Sequence, residues 1–455
     1  MTRNMTSGNP AKLIFFFAVP LLFANIFQQL YNMVDTIIVG RYISVQALAA
    51  VGATGSINFL VIGFVTGLTQ GVSILTAQYY GAQCYERLRK SVTMSACLYF
   101  IIGAIITVIS VAGSEALLDL LQTPDTIKPE ALLYIRIIFI GMFSIIAFNF
   151  FSSILRSLGD SKTPLLALCV ACGINIGLDI LFIVVLHMGV EGAAYATVAA
   201  QLISAVICYI RMKSISELKL SKNDWSYDAI LFQRSFRLGM PVAVMNSITA
   251  IGVMILQFAV NGYGDIYIAA YSVAAKVQIM LEQLSNTFGF AIATYVGQNL
   301  GANKIERIRT GVRKAVEMLT VANILLGVVV LMFGKSIMAF MVSGEEAEVI
   351  AVGYQFLVVF ALFLWMLGLL FVYRSSLQAM GDTLFPMVSG FVEFFTRIAF
   401  VLILPMFFGF LAVPYAEGGA WTSAGCMLMA AYSYRMHHMI KHKTDFKLQL
   451  VSQKL

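Results

Sequence analysis

The sequence predicts an all-α polytopic membrane protein in which twelve transmembrane helices form two parallel six-helix repeats. Hydrophobic residues make up 60% of the 455-residue chain and charged residues only 12%, about half the charged share of a soluble protein. The apolar residues form unbroken runs of roughly 20 residues or more, the length of a membrane-spanning helix, whereas a β-barrel would show shorter alternating segments. Several motifs of the first half recur in the second, which indicates a repeat.

Twelve apolar runs define the predicted helices α1 to α12. The first run follows a short polar segment, contains an acid and lacks a small-residue cleavage site, so we predict a membrane span there and not a signal peptide. The runs lie near residues 13–38, 47–72, 91–112, 130–152, 164–187, 191–211, 235–260, 268–294, 312–333, 347–372, 385–408 and 417–435.

Lysine and arginine are distributed unevenly between the predicted loops. Of the 30 such residues, 24 lie on the side of the N-terminus, 3 on the opposite side and 3 within spans. Because positively charged loops remain in the cytoplasm, both termini are predicted to be cytoplasmic. The net charge of +7 suits anionic membrane lipids, so no nucleic-acid partner is predicted.

The repeat rests on three correspondences between the halves. The pattern Gln-x-x-Gly-Ala-x-x-x-Glu-Arg-x-Arg occurs at residues 78–89 and again at 298–309, Gly-Asp with a following Pro occurs at 159–164 and 381–386, and Pro20 in α1 corresponds to Pro241 in α7. Six helices return the chain to its starting side, so the repeats are parallel. We predict an N-terminal lobe at 1–211, a cytoplasmic linker at 212–233, a C-terminal lobe at 234–435 and a cytoplasmic tail at 436–455.

Polar side chains at membrane depth are the candidate functional residues, because an ionised group there is unfavourable without a reason. In α1 they share one helical face, since their spacing is 3, 4 and 3 residues: Asn25, Gln28, Asn32 and Asp35. Asn175 and Asp179 are four residues apart on α5, and the short loop to α6 brings Thr197 level with Asp179. All these side chains carry an oxygen atom that can bind a cation.

The set Asp35, Asn175, Asp179 and Thr197 is predicted to bind a coupling cation. Oxygen ligands suit a hard cation such as Na⁺, and two neighbouring carboxylates in an apolar place can equally hold a proton. The residues do not decide between H⁺ and Na⁺. No cofactor is predicted, and no metal beyond a Na⁺ at this site.

Further polar residues are predicted to line a substrate cavity or to pair with one another. On α8, Gln278 and Glu282 share a face, and we place them in the cavity with Asn25, Gln28, Asn32 and, on α7, Asn246. Glu393 and Arg397 on α11 are four residues apart, which favours an internal ion pair.

Several enzyme and transporter classes are excluded by missing motifs. The P-loop pattern is absent, so ATP is not the energy source, and no histidine lies deep in a span for acyl transfer. The pair Cys169 and Cys172 has no second metal-ligand pair nearby and is interpreted as helix packing. The loop after α2 lacks the Gly-x-x-x-Asp-Arg-x-Gly-Arg pattern of the major facilitator transporters, and the acidic clusters of a prenyltransferase are absent. We predict that the protein is not an enzyme.

Over essentially its whole length the chain resembles the multidrug and toxic compound extrusion (MATE) family, and most closely its DinF-like bacterial branch. The resemblance is carried by Pro20 with Gln28-Gln29-Leu-Tyr31-Asn32-Met-Val-Asp35, the two Gln-x-x-Gly-Ala segments, Leu158-Gly159-Asp160, and Gly192-Ala-Ala-Tyr195-Ala-Thr197. It implies a cation site at the α1 aspartate and the α5 Asn-x-x-x-Asp, and a bend of α1 near Pro20. Other branches carry an acid on α7 that is absent here, which puts a coupling site in the C-terminal lobe in doubt.

The resemblance implies a secondary active multidrug efflux transporter. It would export cationic or amphipathic small molecules in exchange for H⁺ or Na⁺ by alternating access. The resemblance also implies a monomer surrounded by lipids in the inner (cell) membrane of a bacterium. The alternative is a lipid-linked oligosaccharide or peptidoglycan-precursor flippase of the same superfamily, which would carry more arginines in its cavity.

Overall fold

The twelve predicted helices are all present in a computed structural model of the chain, which describes residues 4–341 and 346–441. Part of the predicted tail, residues 442–455, lies outside the described residues, and residues 436–441 continue the last helix. The helices of the first half are α1 Pro10–Tyr42, α2 Val45–Gly81, α3 Tyr85–Leu120, α4 Lys128–Ile140 with Met142–Ser157, α5 Lys162–Val185 and α6 Val190–Lys213.

The helices of the second half follow a connection that contains two short 3-10 turns, Ser216–Leu218 and Lys222–Trp225. They are α7 Ala229–Asn261, α8 Asp265–Gly301, α9 Ile305–Met341, α10 Ala347–Ala379, α11 Leu384–Ile403 and α12 Ala412–Lys441. Within the described ranges, nine helices are long and apolar enough to span a membrane, and α4 is a tenth if its two parts count as one span. The remaining two, α8 and α12, contain buried polar residues discussed below.

Two helices, α2 and α4, are interrupted within their length. The two parts of α4 meet at Gly141 with a bend of 45°. A Cβ added to Gly141 would lie 2.3 Å from a methyl group of Val198 on α6, so only glycine permits this contact. In α2 the helix is interrupted at Thr54. Its N-terminus is capped by Ser44, whose hydroxyl accepts a hydrogen bond of 2.9 Å from the backbone N–H of Ala47.

The helices pack into two units. One consists mainly of Val19–Ala243, and the other combines Met5–Ala18 with the described residues of the range 244–441. Thus α1 changes unit between Ala18 and Val19, and α7 between Ala243 and Val244. Both changes lie within three residues of a proline inside the helix, Pro20 or Pro241. The lobe boundaries drawn from the sequence stay a prediction.

In the first unit, α2 and the N-terminal half of α7 are packed backbone to backbone. A Cβ added to Gly71 would lie 2.5 Å from the Cα atom of Gly239, and one added to Gly67 would lie 2.7 Å from the Cα atom of Ala243. Small residues four positions apart allow helices to approach this closely in a membrane. Any larger residue at Gly67 or Gly71 would force the two helices apart.

The first copy of the repeated Gln-x-x-Gly-Ala motif binds the chain segment that leads into α7. Arg89 forms an ion pair of 3.3 Å with Asp224, and Arg87 forms one of 3.7 Å with Asp228. Thr93 donates a hydrogen bond to the backbone carbonyl of Asp224. The motif therefore anchors the start of the second half of the sequence in the first unit.

The second copy of the motif binds the segment that leads into α1, within the second unit. The side chain of Gln298 accepts a hydrogen bond of 2.9 Å from the backbone N–H of Met5, and Asn299 donates one of 3.1 Å to the Met5 carbonyl. Arg307, the counterpart of Arg87, donates to the carbonyl of Gly8 at 2.9 Å. We call these two sets of contacts the entry clamps.

Asp224 is the central acceptor of the first entry clamp. Its burial opposes ionisation, but hydrogen bonds from the backbone and hydroxyl of Ser221, together with Arg89, outweigh that effect and hold the pKa of Asp224 below its ordinary value. A carboxylate with a lowered pKa stabilises the folded state at pH values above its unfolded-state pKa, and this stabilisation disappears as the pH falls through the folded-state pKa.

We therefore expect Asp224→Asn to lower the melting temperature of the purified protein by about 2–4 °C at neutral pH. The deficit should shrink in acid, because the wild type then loses the same carboxylate. The measurement is thermal unfolding in detergent followed by tryptophan fluorescence across a pH series. Glu217→Gln is the matched control, since Glu217 accepts only an exposed hydrogen bond from Ser216. A deficit independent of pH would contradict the assignment.

Candidate cation site

The four polar residues predicted on one face of α1 differ in how deeply they are buried. Asp35 is buried, Asn25 and Gln28 are half-buried, and Asn32 is exposed. Asn246 on α7 is also half-buried, but it belongs to the second unit. Of these predicted residues, Asp35 is therefore the one that reaches the interior of the first unit.

Asp35 and Asp179 are brought together by α1 and α5. Their carboxyl groups are close enough to share a hydrogen bond, and the side chain of Asp179 is 0% exposed. Asn175 lies one turn before Asp179 on the same buried face of α5. Three of the four residues predicted for the coupling site thus form one buried group.

Several polar atoms of this group have no hydrogen-bonding partner within the described residues. They are Oδ1 of Asp35, both carboxylate oxygens of Asp179, and both amide atoms of Asn175. No lysine, arginine or histidine in the described ranges forms an ion pair with either aspartate. Buried polar groups are nearly always paired, so unpaired oxygens on two adjacent acids indicate a site that binds something.

The local shape of α5 changes at the acid. Its α-helical part ends at Asp179, and the chain continues as a π-helical turn over Ile180–Val185. Wider turns of this kind recur at functional sites, because the extra residue displaces backbone groups and alters the direction of nearby side chains. Asp179 is therefore held at a break in the regular helical pattern.

Two tyrosines complete the group, and neither was singled out by the sequence analysis as a site residue. Tyr31, one turn before Asp35, donates a hydrogen bond of 3.3 Å to the hydroxyl of Thr197. Tyr134 of α4 is buried within electrostatic range of Asp35, Asp179 and Tyr31. The motif around Gln28 contains Tyr31, whereas Tyr134 lies in an apolar run with no spacing that marks it.

A small pocket opens beside these residues in the first unit. It is lined by Gln28 and Tyr31 of α1, Cys172 of α5 and Gln201 of α6, together with apolar side chains. Cys172 and the other five cysteines are free thiols. The pocket connects part of the predicted cavity lining with the tyrosine that reaches Thr197.

The remaining predicted polar residues lie in the second unit. The side-chain amide of Gln278 donates to Glu282 at 2.9 Å and to Glu417 at 2.8 Å. The predicted ion pair between Glu393 and Arg397 is confirmed, with a separation of 3.5 Å. The sequence analysis missed Arg374, which it assigned to a loop and which also pairs with Glu393, and it missed Glu417.

This fold and these buried groups define a polytopic helical membrane protein with charged side chains buried between its helices. Comparison with known proteins identifies its family. The family model described as MatE matches the chain twice, over residues 20–181 and 241–403. Both matches begin at the prolines that the repeat aligns. The chain belongs to the MatE family, the multidrug and toxic compound extrusion transporters.

Individual relatives agree with the family assignment. The probable multidrug resistance protein YpnP of Bacillus subtilis (strain 168) is 27% identical over 449 residues, which cover 97% of this chain and 99% of that protein. DNA damage-inducible protein F of Escherichia coli (strain K12) is 25% identical over 351 residues, 75% of each chain. A solved outward-facing multidrug resistance MATE family transporter of the MOP superfamily shares the fold, with a TM-score of 0.89 at 22% identity over 96% of this chain and 98% of that one.

The fold class predicted from the sequence is thereby confirmed, as is the family. Members of this family are multidrug efflux transporters and not enzymes, and their substrates are small molecules. The protein is a multi-pass membrane transporter. The roles of Asp35, Asn175, Asp179 and Thr197 stay a prediction.

The unpaired acid group leads to a prediction about stability. Asp179→Asn removes one of two adjacent buried charges and supplies an amide that can donate to the carboxylate of Asp35, so it satisfies atoms that otherwise lack a partner. We expect its melting temperature in detergent, without substrate, to rise by about 2 °C or more at neutral pH. Asp125→Asn, an exposed acid in the α3–α4 loop, should leave the melting temperature unchanged. A fall in the Asp179 variant would mean that the charge is compensated in the folded protein.

Proposed function

We propose that this protein is a secondary active antiporter that exports cationic or amphipathic compounds in exchange for H⁺ or Na⁺. The observation that carries the proposal is the buried pair of Asp35 and Asp179, whose oxygens lack donors within the described residues. Repulsion between the two charges is relieved when a proton or a metal cation binds. The driving cation binds here, and its movement down its gradient supplies the energy for export.

The residues around the pair suit either ion. For Na⁺, the carboxylates of Asp35 and Asp179, the amide oxygen of Asn175 and the hydroxyl of Thr197 are oxygen ligands of the kind that hard cations prefer. For H⁺, the two adjacent carboxyl groups share one hydrogen bond once either is protonated. The coupling ion is therefore an outcome of the experiment below.

Substrate and cation are coupled through alternating access. A ligand shifts a conformational equilibrium only if it binds one state more tightly than the other, so antiport requires that the cation and the substrate favour different states. Two sets of polar residues are proposed to contact the substrate. In the first unit they are the half-buried Gln28 and Asn25 and the exposed Asn32, and in the second unit they are Asn246, Gln278 and Glu282. Gln28 and Tyr31 line the same small pocket, which supports a substrate position close to the acid pair.

Helix α1 transmits occupancy of the site through a bend near Pro20. Proline removes a backbone donor and weakens the helix locally, and α1 changes its packing unit between Ala18 and Val19, two residues from Pro20. A bend at this place leaves the N-terminal part of α1 attached to the second entry clamp. Asp35 lies beyond the bend, in the part of α1 that belongs to the first unit.

The protein works in the inner (cell) membrane of a bacterium as a monomer surrounded by lipid, with both termini in the cytoplasm. The excess of lysine and arginine in the loops on the side of the N-terminus supports this orientation. The small-molecule substrates leave the cell as H⁺ or Na⁺ enters.

We expect Asp35→Asn and Asp179→Asn each to reduce efflux of ethidium by about tenfold or more at equal expression, the effect of losing about 1.4 kcal/mol of coupling. The assay compares cells expressing each variant, with the proton gradient collapsed by a protonophore or the sodium gradient by a sodium ionophore. The gradient whose loss stops wild-type efflux identifies the ion. Asp125→Asn is the control, because it removes an exposed acid outside the site.

Two results would contradict the proposal. Ethidium efflux at the wild-type rate in both aspartate variants would exclude the acid pair as the coupling site. Absence of wild-type efflux under every gradient, at confirmed membrane expression, would favour the lipid-linked precursor flippase, and a flippase assay with a lipid-linked pyrophosphate would test that alternative.

A second variant tests the bend of α1. Pro20→Ala restores a backbone donor and favours a straight helix, so we expect a higher melting temperature and slower ethidium efflux. Pro241→Ala is the matched control at the equivalent position of α7, where no acid follows at the position of Asp35. Equal efflux rates for wild type and Pro20→Ala would show that transport does not require the bend.

A further inference from the structure

The second unit contains a buried charge cluster of which the proposed mechanism uses one member only, Glu282, as a cavity residue. It joins four helices and consists of Glu282 on α8, Arg374 on α10, Glu393 and Arg397 on α11, and Glu417 on α12. All except Glu282, which is partly accessible, are buried. The sequence analysis recognised only parts of it, because Arg374 and Glu417 lie at or beyond the edges of the predicted helices.

The negative charge of Glu393 is compensated within the cluster. Glu393 lies between two arginines and forms ion pairs with Arg374 and Arg397. Arg374 also donates a hydrogen bond of 3.1 Å to Ser389. Glu393 therefore requires no further positive charge.

The other part is a pair of acids joined by one amide. The side-chain nitrogen of Gln278 donates to Glu282 at 2.9 Å and to Glu417 at 2.8 Å, so the two accepting oxygens are at most 5.7 Å apart. The carbonyl oxygen of the same Gln278 side chain, which is only 8% exposed, has no donor among the described residues. Two acids thus share one amide nitrogen, and the oxygen of the same amide lacks a donor.

The cluster around Glu282 and Glu417 contains one more carboxylate than it contains guanidinium groups. Arg397 lies within electrostatic range of both acids, and its Nε and Nη1 atoms have no acceptor within the described structure. The other groups within electrostatic range are Glu393 and the buried phenol of Tyr271. With every acid ionised, three carboxylates oppose two guanidinium groups, and an uncompensated buried charge is unfavourable.

We propose that Glu282 and Glu417, bridged by Gln278, form a second proton-binding site, which holds one proton and exchanges it during transport. The bound proton makes the five-residue cluster neutral, and one carboxylate of the pair then remains to accept from Gln278. Glu282, the accessible member, receives the proton from water and returns it to water. When the proton leaves, the restored negative charge lies within electrostatic range of Arg397.

This site extends the proposed function, since it adds a proton-binding group in the unit where the sequence led us to doubt one. It differs chemically from the pair in the first unit, which has no basic residue paired with it. Asp35 and Asp179 can bind Na⁺ or H⁺, whereas the adjacent Arg397 repels a metal cation from Glu282 and Glu417. A proton is small and forms a covalent bond to oxygen, so it is the cation that this environment accepts.

The first test reads the proton directly and needs no transported substrate. Infrared difference spectra of the full chain in lipid nanodiscs, recorded between alkaline and mildly acidic buffer, report the C=O stretch of protonated carboxyl groups. We expect Glu282→Gln and Glu417→Gln each to remove the same band, because the two acids share one proton. Glu348→Gln, an exposed acid at the start of α10, should retain this band, as should Asp179→Asn.

Retention of the wild-type band in both glutamine variants would overturn the site. Glu282→Gln keeps the test available if the deeply buried Glu417→Gln does not fold, since Glu282 lies at the accessible end. The infrared result is independent of the ethidium experiment, so a failure of the proposed antiport and a failure of this site can be told apart.

The second test asks whether the proton is coupled to transport. One coupled proton changes the steady-state substrate gradient by about tenfold for each unit of pH gradient. In proteoliposomes with an imposed pH gradient, we expect Glu282→Gln and Glu417→Gln each to support an ethidium gradient about tenfold smaller per pH unit than the wild type. Glu417 is not a predicted cavity residue, so agreement of the two variants attributes the loss to the proton and not to substrate contact. An unchanged gradient would overturn the coupling of this site to transport.

Discussion

The unfavourable free energy of an ionised side chain inside a bilayer is the constraint on which this structure depends. A charge there must be paired, hydrated or neutralised by a ligand. Glu393 satisfies this constraint by lying between Arg374 and Arg397. Asp35 and Asp179 do not satisfy it with any described basic residue, and this difference separates groups that hold helices together from groups that are available to a transported ion.

The two halves share a topology but differ in their chemistry. The MatE family model matches both, and both contain an entry clamp built from the same repeated motif. In the first clamp the arginines bind the carboxylates of Asp224 and Asp228, whereas in the second Arg307 binds a backbone carbonyl. The repeat therefore preserves the attachment of the entering chain, while the partner atoms have diverged.

Each entry clamp lies just before a helix that contains an internal proline. Each clamp fixes the chain just before α1 or α7, and each of these helices then changes its packing unit near Pro20 or Pro241. In the first unit the glycines of α2 allow α7 to approach backbone to backbone, so the N-terminal half of α7 has little room to move independently. Pro241 lies within this closely packed stretch, between Gly239 and Ala243, so a change of direction there is restricted.

The length and spacing of apolar runs determined the twelve helices, because a bilayer imposes a minimum apolar length that can be counted from the sequence. Residue spacing also determined that Asn175 and Asp179 share a face, since four residues make about one helical turn. Motif resemblance determined the family. These properties depend on neighbours along the chain and therefore survive without coordinates.

Only the tertiary structure decided which polar groups are compensated. Arg374 lay beyond the predicted end of α10 and Glu417 at the predicted start of α12, because apolar runs end at a charge. The real helices continue through such charges, which find partners on other helices. Tyr134 approaches Asp35 from a helix distant in sequence, which no spacing along the chain can indicate. The sequence thus determined where the chain enters the membrane, and packing decided which acids remain without a partner, because compensation of a charge depends on distances in space between helices.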